Sequence, residues 1–394
     1  MFFKNSKESK KILVIDIGTS SINGFYIEII SGKKPRILKT LHRDLEFLND
    51  PNFQTMWGNI KSGILEIFTF FKKNDAKFHV DFAEVILSSP WYLSQTRMVR
   101  VKRDYIFTVN EGLVDDLIEE ETAAFLKKSV SHLKMEVREL AVLEKYVMKV
   151  FLNGYPAPQP FGKKAQELVL CLYVSICRNE IARELGDLVR HQFPRTRLII
   201  NSSPAALFQI FRRKFDPEEG FIIADIGGEI TEITFVSGQV IEEVATFPRG
   251  GNFIVRRLAS GLGIPVNDAL TLLKSRTKGA LKEELSEKIK GLIEGASKEW
   301  YKFFYETISD IGNEKPLPQS LILIGGAAGI DILKLSSQSE DLSKFTILGR
   351  SFTTQTYLPE NFESELDYAG IDRKDPQMSL PLLLVLSSLE NAKK

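Results

Sequence analysis

The sequence predicts an α/β protein built from two similar halves. Near the start of the chain, the apolar strand Lys11–Asp16 runs into the turn Gly18-Thr19-Ser20. About half a chain later, the apolar strand Phe221–Asp225 runs into Gly227-Gly228. A second strand follows each turn, and helical segments alternate with further strands. This repeat of strand, turn and strand, alternating with helices, predicts two lobes that each contain a sheet covered by helices.

The composition fits a globular protein of more than one domain and excludes several functional classes. The chain has 394 residues and a net charge of +1, so no overall field gathers nucleic acid, and we expect none to bind. The two cysteines, Cys171 and Cys177, cannot form a disulfide framework and fit a reducing compartment. The histidines are scattered, and no CxxC or HExxH pattern predicts a zinc site. No apolar run reaches the roughly 20 residues that span a bilayer.

The other elements follow from apolar periodicity and turn residues. A helix is predicted over about 53–73, and the strand Val85–Leu87 stops at Ser88-Ser89-Pro90. Residues 91–165 combine a β-like run, a helix capped by Asn110, a strand at Glu139–Asn153 and a proline-rich loop, after which a strand is predicted at Glu167–Cys177. They predict a small α+β insert with its own sheet. Helix and strand patterns then alternate again, in segments predicted at about 178–191, 198–200, 204–213, 252–262, 266–275, 281–308, 321–324 and 379–392.

The candidate binding residues lie at the ends of three predicted strands. Glycines at the two turns allow the backbone to direct N–H groups at an anion. Asp16 and Asp225 stand at the ends of their strands, where a carboxylate can hold a divalent cation through water. A third strand, Leu321–Ile324, runs into Gly325-Gly326-Ala327, whose small residues would let a flat base and sugar lie against the backbone. A single turn of this kind usually marks only a hairpin, whereas the ordered set of three strand ends is much more specific evidence of a functional site.

This ordered set resembles the phosphate-1, phosphate-2 and adenosine motifs of the actin/Hsp70/sugar-kinase superfamily. Within it, the chain is most similar to the bacterial FtsA and PilM group. The insert sits where that group carries its SHS2-type domain, Pro248–Asn252 resembles the P-x-G-G-N turn of FtsA, and the opening MFFK…KKILVIDIGTSSI looks like the start of PilM proteins. The resemblance implies an actin-like two-lobed ATPase (ribonuclease H-like) fold with a small SHS2-type insert in the first lobe. The implied units are 1–90 with the returning helix 376–394, the insert 91–165, and 166–375 with the rest of the first lobe and the second lobe.

The resemblance also assigns roles to residues of the cleft between the lobes. It implies ATP with Mg²⁺, the cation held through water by Asp16 and Asp225. The implied contacts to nucleotide come from Gly18, Thr19, Ser20, Asp225, Gly227 and Gly228 on the phosphate side, and from Lys274, Gly325, Gly326 and Ala327 on the adenosine side.

The sequence departs from the family pattern at three places. Glu229 replaces a glycine of the second loop, where its carboxylate would repel a polyphosphate unless it points away or binds Mg²⁺. Ser203 stands where hydrolysing relatives often place a glutamate that orients water, and serine is a poor base at neutral pH. Thr271 matches the ribose-side glutamate. We therefore expect at most a slow ATPase, with ATP and Mg²⁺ either bound or lost.

Two classes of function remain open. The preferred hypothesis is a cytoplasmic scaffold at the inner face of the cell membrane, which reaches the membrane through partners. Its FtsA version implies a cell-division protein that contacts a tubulin-like FtsZ-type ring protein; its PilM version implies a type IV pilus assembly component that holds a peptide of a pilus membrane protein. The chain ends near Lys394 without the amphipathic tail usual in FtsA, which favours the PilM version. The rival class is a sugar-kinase-like phosphotransferase, for which no aspartate base is evident.

Two surfaces allow a structural and a functional interpretation. Arg97, Arg100 and Lys102 recur along one strand of the insert, either as a solvated sheet face or as a partner surface without an evident partner inside the chain. The second interpretation predicts a contact module for partners or self-association, whose deletion leaves the two lobes folded. Phe2 and Phe3, followed by lysines, form either a frayed terminus or a weak membrane foot.

Overall fold

A computed structural model describes residues 9–48, 52–73, 78–277, 283–368, 371 and 375–391. The predicted membrane foot at Phe2 and Phe3 lies outside these residues. The strands are β1 (Ser9–Ile17), β2 (Ser21–Ile30), β3 (Arg36–Asp44), β4 (Phe82–Leu87), β5 (Tyr92–Thr108), β6 (Leu140–Leu152), β7 (Tyr155–Pro156), β8 (Lys164–Arg178), β9 (Arg197–Ser202), β10 (Phe221–Ile226), β11 (Thr231–Ser237), β12 (Val240–Phe247), β13 (Ser320–Ile324), β14 (Thr353–Thr356) and β15 (Asp367–Tyr368). The α-helices are α1 (Phe53–Lys72), α2 (Glu111–Leu133), α3 (Asn179–Gln192), α4 (Ser203–Phe211), α5 (Gly251–Leu262), α6 (Val266–Thr277), α7 (Glu283–Glu314), α8 (Asp331–Ser336) and α9 (Ser379–Asn391).

The first lobe is built on a sheet with the strand order β15-β3-β2-β1-β4-β9. The strands β1, β2 and β3 form an antiparallel meander, whereas β4 and β9 run parallel to β1. Alternate residues of β1 pack on opposite faces: Leu13 and Ile15 join the core beside α1 and α3, and Ile12 and Val14 join the core beside α4 and α9. Burial on both faces explains why this strand is continuously apolar instead of alternating.

The second lobe repeats this plan with the strand order β12-β11-β10-β13-β14. The strand β10 is antiparallel to β11 and parallel to β13, as β1 is to β2 and β4. One face of its sheet packs on α5 and α7, and the other shares a core with the first lobe through Phe221 and Ile223. The two similar halves predicted from the sequence are confirmed. Their equivalent strands end at the same cleft.

The third unit consists of α2 and a sheet with the strand order β5-β8-β6-β7. The strand β8 is central and pairs antiparallel with β5 and with β6 along nearly its whole length. The predicted insert 91–165 ends at the start of β8, so the unit that this sheet defines ends at Arg178 instead. The strand predicted at Glu167–Cys177 belongs to this sheet as β8, so the boundary at residue 165 was placed one strand too early.

The basic strand of the third unit has partners within the chain, contrary to the expectation from sequence. Arg97 forms an ion pair with Glu121 of α2, and both side chains are about three-quarters buried. Arg100 forms an ion pair with Glu167 of β8. These partners were not evident in sequence because neither is near its arginine along the chain. Among the described residues, no helix combines the length and the apolar character needed to cross a bilayer.

Candidate functional site

Two turns of the same design face each other across the cleft. After β1, the Gly18 N–H donates to the Ser21 carbonyl at 3.1 Å. After β10, the Gly227 N–H donates to the Ile230 carbonyl at 3.0 Å. Each turn directly follows a buried aspartate, so the repeat seen in sequence becomes a pair of matching loops, one from each lobe.

A cavity of about 60 Å³ lies between these loops. Most of the predicted site residues line it, namely Asp16, Gly18, Thr19, Ser20, Asp225, Gly227, Gly228, Gly325 and Gly326. Ala327 does not line the cavity; it is buried behind it, and its N–H donates to the Ile226 carbonyl. Lys274 lies on α6, but its side chain is outside the described part of the structure.

The two aspartates are buried, and each keeps one carboxylate oxygen without a hydrogen bond. Asn23 Nδ2 donates to Asp16 Oδ2 at 3.0 Å, and Asn23 Oδ1 lies 2.8 Å from His42 Nδ1. Burial raises the pKa of Asp16 to about 7, although Asn23 and His42 lower it in part. The pKa of Asp225 is raised well above its usual value by burial and by the nearby charges of Glu232 and Asp16. Bare oxygens on two such carboxyl groups fit a divalent cation, whose charge would favour their ionised forms.

The third predicted element completes one wall of the cavity. The strand β13 pairs with β10 so that Ile324 lies opposite Asp225, and Gly325 follows with φ +91°. A Cβ atom at Gly325 would lie 2.3 Å from Asp225 Oδ1, so both the backbone conformation and the close approach require glycine here. The start of α9 closes this side of the cavity with Leu380 and Pro381.

Sequence reasoning missed Glu232, which lines the cavity opposite Asp225 on β11. Its carboxylate accepts a hydrogen bond from the Tyr92 hydroxyl of the third unit and one from Ser203 Oγ of the first lobe at 3.3 Å. Burial raises the pKa of Glu232 to about 7, and the Tyr92 and Ser203 hydrogen bonds lower it in part. A single glutamate within the otherwise buried strand β11 was the signal in sequence.

A second buried carboxyl group lies close to this network. Glu144 of β6 accepts hydrogen bonds from Ser202 Oγ and Ser175 Oγ, both at 2.6 Å. Burial raises the pKa of Glu144 to about 7, although these serines lower it in part. The Tyr173 hydroxyl lies 2.9 Å from Ser202 Oγ. The third unit is therefore joined to the floor of the cleft by buried polar contacts at two places.

Ser203 is fully buried, and its hydroxyl faces Glu232. The position where hydrolysing relatives place a glutamate is thus occupied by a serine that is already hydrogen-bonded. Serine alone is a weak base, and the Glu232 carboxylate, which lines the cavity, already accepts hydrogen bonds from Tyr92 and Ser203. Among the described residues, no group of three or more histidine, cysteine, aspartate or glutamate side chains could hold a metal ion. A cation here would need ligands besides the protein carboxylates.

The cavity does not accommodate a nucleotide with the loops arranged as they are. The Glu229 N–H of the second loop donates to Thr19 Oγ1 of the first loop at 3.0 Å. A Cβ atom at Gly228 would lie 2.4 Å from the Ser20 Cβ, which shows how closely the loops approach. Ligand pockets for molecules of nucleotide size usually measure about 300–1,000 Å³, several times the volume found here. The residues fit a cation, but not a polyphosphate between the loops.

The Pro248–Asn252 turn supports the second loop from behind. The Gly251 and Asn252 N–H groups donate to the carbonyls of Gly227 and Gly228 at 2.9 and 2.8 Å. A Cβ atom at Gly250 would lie 2.5 Å from both of these carbonyl oxygens. Close packing against the loop therefore explains Gly250, which is a structural reason for this glycine of the motif.

The comparisons with known proteins identify the fold. No protein-family model and no curated protein matches the chain. Among solved structures, the PilM-PilN type IV pilus biogenesis complex is similar over 95% of this chain and 97% of that chain, with a TM-score of 0.65 and 15% identity. The protein has the actin-like ATPase fold.

Two other structural matches have lower TM-scores. The ethanolamine utilization protein EutJ from Carboxydothermus hydrogenoformans matches over 97% of this chain and 90% of its own, with a TM-score of 0.46 and 14% identity. MreB 5 of Spiroplasma citri bound to AMPPNP matches over 98% of this chain and 97% of its own, with a TM-score of 0.43 and 11% identity.

Proposed function

We propose that the protein is an actin-like assembly scaffold of the PilM type. In this role it holds a peptide of a pilus membrane protein at the inner face of the cell membrane and turns over nucleotide slowly or not at all. The similarity to PilM of the PilM-PilN complex carries this proposal, because it spans both lobes and the third unit, 95% of the chain. The buried, hydrogen-bonded Ser203 and the direct contact between the loops support the lack of turnover.

An FtsA-like role in cell division is the second candidate. The Pro248–Asn252 turn favours it, since this turn resembles the one in FtsA. The turn also packs closely against the second loop, and this packing would be needed in either role. A phosphotransferase is less well supported, because the cavity that Asp16, Asp225 and Glu232 line measures only about 60 Å³ and leaves no room for a nucleotide beside a sugar.

Peptide binding distinguishes the candidates. Fluorescently labelled peptides would be made from the cytoplasmic segments of membrane proteins encoded beside this gene, and from the C-terminal tail of the tubulin-like division protein of the same cell. The PilM-type role predicts saturable binding of a membrane-protein peptide, measured by fluorescence anisotropy, with a scrambled peptide as control. Binding of the division-protein tail alone would favour the FtsA-like role. Binding of neither would contradict both.

A further inference from the structure

The two lobes are joined at the cleft by protein contacts that lie between the glycine loops. The hydrogen bond from the Glu229 N–H to Thr19 Oγ1 links the second loop to the first at 3.0 Å. The two loops also touch at Gly228 and Ser20. A polyphosphate that used the N–H groups of both loops would have to enter between them, and this would break the contact.

The carboxylate of Glu229 points away from the loops to a pair of donors on α5. Arg256 donates to both of its oxygens, at 2.8 and 2.7 Å, and Asn252 Nδ2 donates to Oε1 at 2.7 Å. The side chains of Glu229 and Arg256 are 18% and 30% exposed, so this two-point ion pair is largely shielded from solvent. Such charge-assisted bonds are stronger and more strictly oriented than hydrogen bonds between neutral groups.

Arg256 also reaches the first lobe. Its Nη2 donates to the carbonyl of Leu48 at 3.1 Å, and the guanidinium lies over the ring of Phe47 at 4.6 Å from the centroid. Phe47 and Leu48 belong to the connection between β3 and α1. One guanidinium thus joins the second loop to the opposite lobe. The positive charge of Arg256 is paired with Glu229 and is not directed at the cavity.

We infer that Glu229 and Arg256 form an interlobe latch that decides whether a polyphosphate ligand can enter the cleft. The latch is the set of bonds from Arg256 to Glu229 and Leu48, together with the bond from Glu229 to Thr19. While it is intact, the loops stay in contact and the cleft is closed without a nucleotide. Release of Arg256 frees the second loop to move and lets the lobes separate. This inference does not depend on which partner the scaffold holds.

Titration calorimetry with Mg·ATP tests the latch. The variants are Arg256→Ala, Glu229→Gly, which places the glycine usual in the family, and Glu229→Gln, which keeps the shape and removes the charge. Arg257→Ala is the matched control, because Arg257 is the next residue of α5 and pairs with Glu299 within the second lobe. In the wild type, the charge-assisted bonds of the latch oppose entry of the nucleotide. Because the Arg256 and Glu229 variants lose these bonds, we expect them to bind Mg·ATP at least about tenfold more tightly than the wild type and the control.

The distance between the lobes gives a second measurement. Spin labels would be placed at Gln54→Cys on α1 and Lys298→Cys on α7, two exposed positions. The native Cys171 and Cys177 are buried, and burial raises the pKa of both thiols, so they compete little for the label. We expect a longer or broader distance in Arg256→Ala than in the wild type and in Arg257→Ala. Thermal melts establish that each variant is folded.

Two results would overturn the latch. The first is equal Mg·ATP affinity of the wild type, the control and the latch variants. The second is no Mg·ATP binding by folded Glu229→Gln and Arg256→Ala, even if the interlobe distance changes, because the latch would then not govern entry. Peptide binding is measured without nucleotide, so failure of the proposed scaffold role would be seen separately.

Discussion

At the scale of single residues, the buried carboxyl groups are the most distinctive feature of the cleft. Asp16, Glu144 and Glu232 each have a pKa raised to about 7, mainly by burial. A carboxyl group with a raised pKa in the folded state binds its proton more tightly there than in the unfolded chain. Its favourable contribution to stability is therefore complete at low pH and is lost as the pH rises through the folded pKa.

The substitution Glu232→Gln should reduce the pH dependence of stability. For Glu232 the loss falls between pH 4.5, its usual pKa, and pH 7. Over this interval, the raised pKa of Glu232 corresponds to a loss of roughly 3 kcal/mol in the free energy of unfolding. We expect the free energy of unfolding of the wild type to decrease from pH 4.5 to above 7, and that of Glu232→Gln to decrease less. Urea titrations of both proteins across this pH range measure the free energy of unfolding.

The matched control for this experiment is Glu219→Gln, which alters an exposed carboxylate. Its stability should follow the wild type over the whole range. Parallel curves for Glu232→Gln and the wild type would show that Glu232 keeps an ordinary pKa in the folded protein.

Hydrolysis of ATP should be far slower than the usual enzyme turnover of about 1 per second or more. Ser203 has only a hydroxyl, which is buried and donates to Glu232, and the Glu229 carboxylate is bonded to Arg256, so neither residue offers a free base to an attacking water. Phosphate release from Mg·ATP by the purified protein measures the rate. Asp16→Ala, prepared in parallel, accounts for contaminating activity. A rate within the usual enzyme range that Asp16→Ala abolishes would contradict the expectation.

At the scale of elements, the edge strand β5 is fixed by ion pairs to its neighbours. Arg97 joins β5 to Glu121 of α2, and Arg100 joins it to Glu167 of β8. The Arg97 pair is the better shielded of the two, since the Arg100 side chain is 65% exposed. Breaking a shielded pair leaves an unpaired charge out of water, so charge reversal at Arg97 is expected to affect folding as well as any surface contact.

Reversal of the Arg97 charge should destabilise the protein. In Arg97→Glu two carboxylates would face each other in a half-buried site, which we expect to lower the free energy of unfolding by about 1–2 kcal/mol. Thermal melts compare this variant with Lys127→Glu, an exposed position of α2. The double variant Arg97→Glu with Glu121→Arg should recover part of the loss.

Sedimentation of the same proteins tests the partner surface predicted from the sequence. If Arg97→Glu keeps wild-type stability but loses self-association, then the strand serves a contact between molecules and the internal ion pair is unimportant.

At the scale of the whole molecule, the third unit is part of the core that joins the lobes. Met148, Cys171 and Tyr173 are buried in the same cluster as residues of α4 and α9. Tyr92 donates a partly buried hydrogen bond to Glu232 of the second lobe. Removal of the unit would expose the apolar cluster and leave a buried carboxyl group without a principal donor. The contacts therefore oppose the sequence-based expectation that the lobes fold without it.

Deletion of residues 92–178 should abolish cooperative folding of the lobes. A less drastic pair of variants isolates the cause: Tyr173→Ala removes a buried ring, whereas Tyr155→Ala alters a side chain of the same unit that is 77% exposed. We expect a loss of about 3–5 kcal/mol for Tyr173→Ala and less than about 0.5 kcal/mol for Tyr155→Ala. Chemical denaturation measures both. A deletion variant with a sharp melt near that of the wild type would show that the third unit is an independent module.

The sequence by itself determined the features that depend on neighbouring residues. The apolar strands, the glycine turns after Asp16 and Asp225, and the repeat of strand, turn and strand are local patterns, because turn geometry and burial on both faces restrict which residue types can occur. The similarity of the two halves then predicted the two-lobed fold. The resemblance to the actin/Hsp70/sugar-kinase superfamily, and not the local patterns, marked Glu229 and Ser203 as departures.

Only the tertiary structure decided where these side chains point and what they meet. Glu229 turns to Arg256, which also donates to the Leu48 carbonyl, and Ser203 faces Glu232, which also binds Tyr92. The strand β8, which the predicted bounds 91–165 left out of the insert, lies at the centre of the third sheet. Partners of this kind are far apart along the chain, and the pairing of strands and lobes that brings them together depends on the packing of the whole core. Local propensity carries no information about that packing.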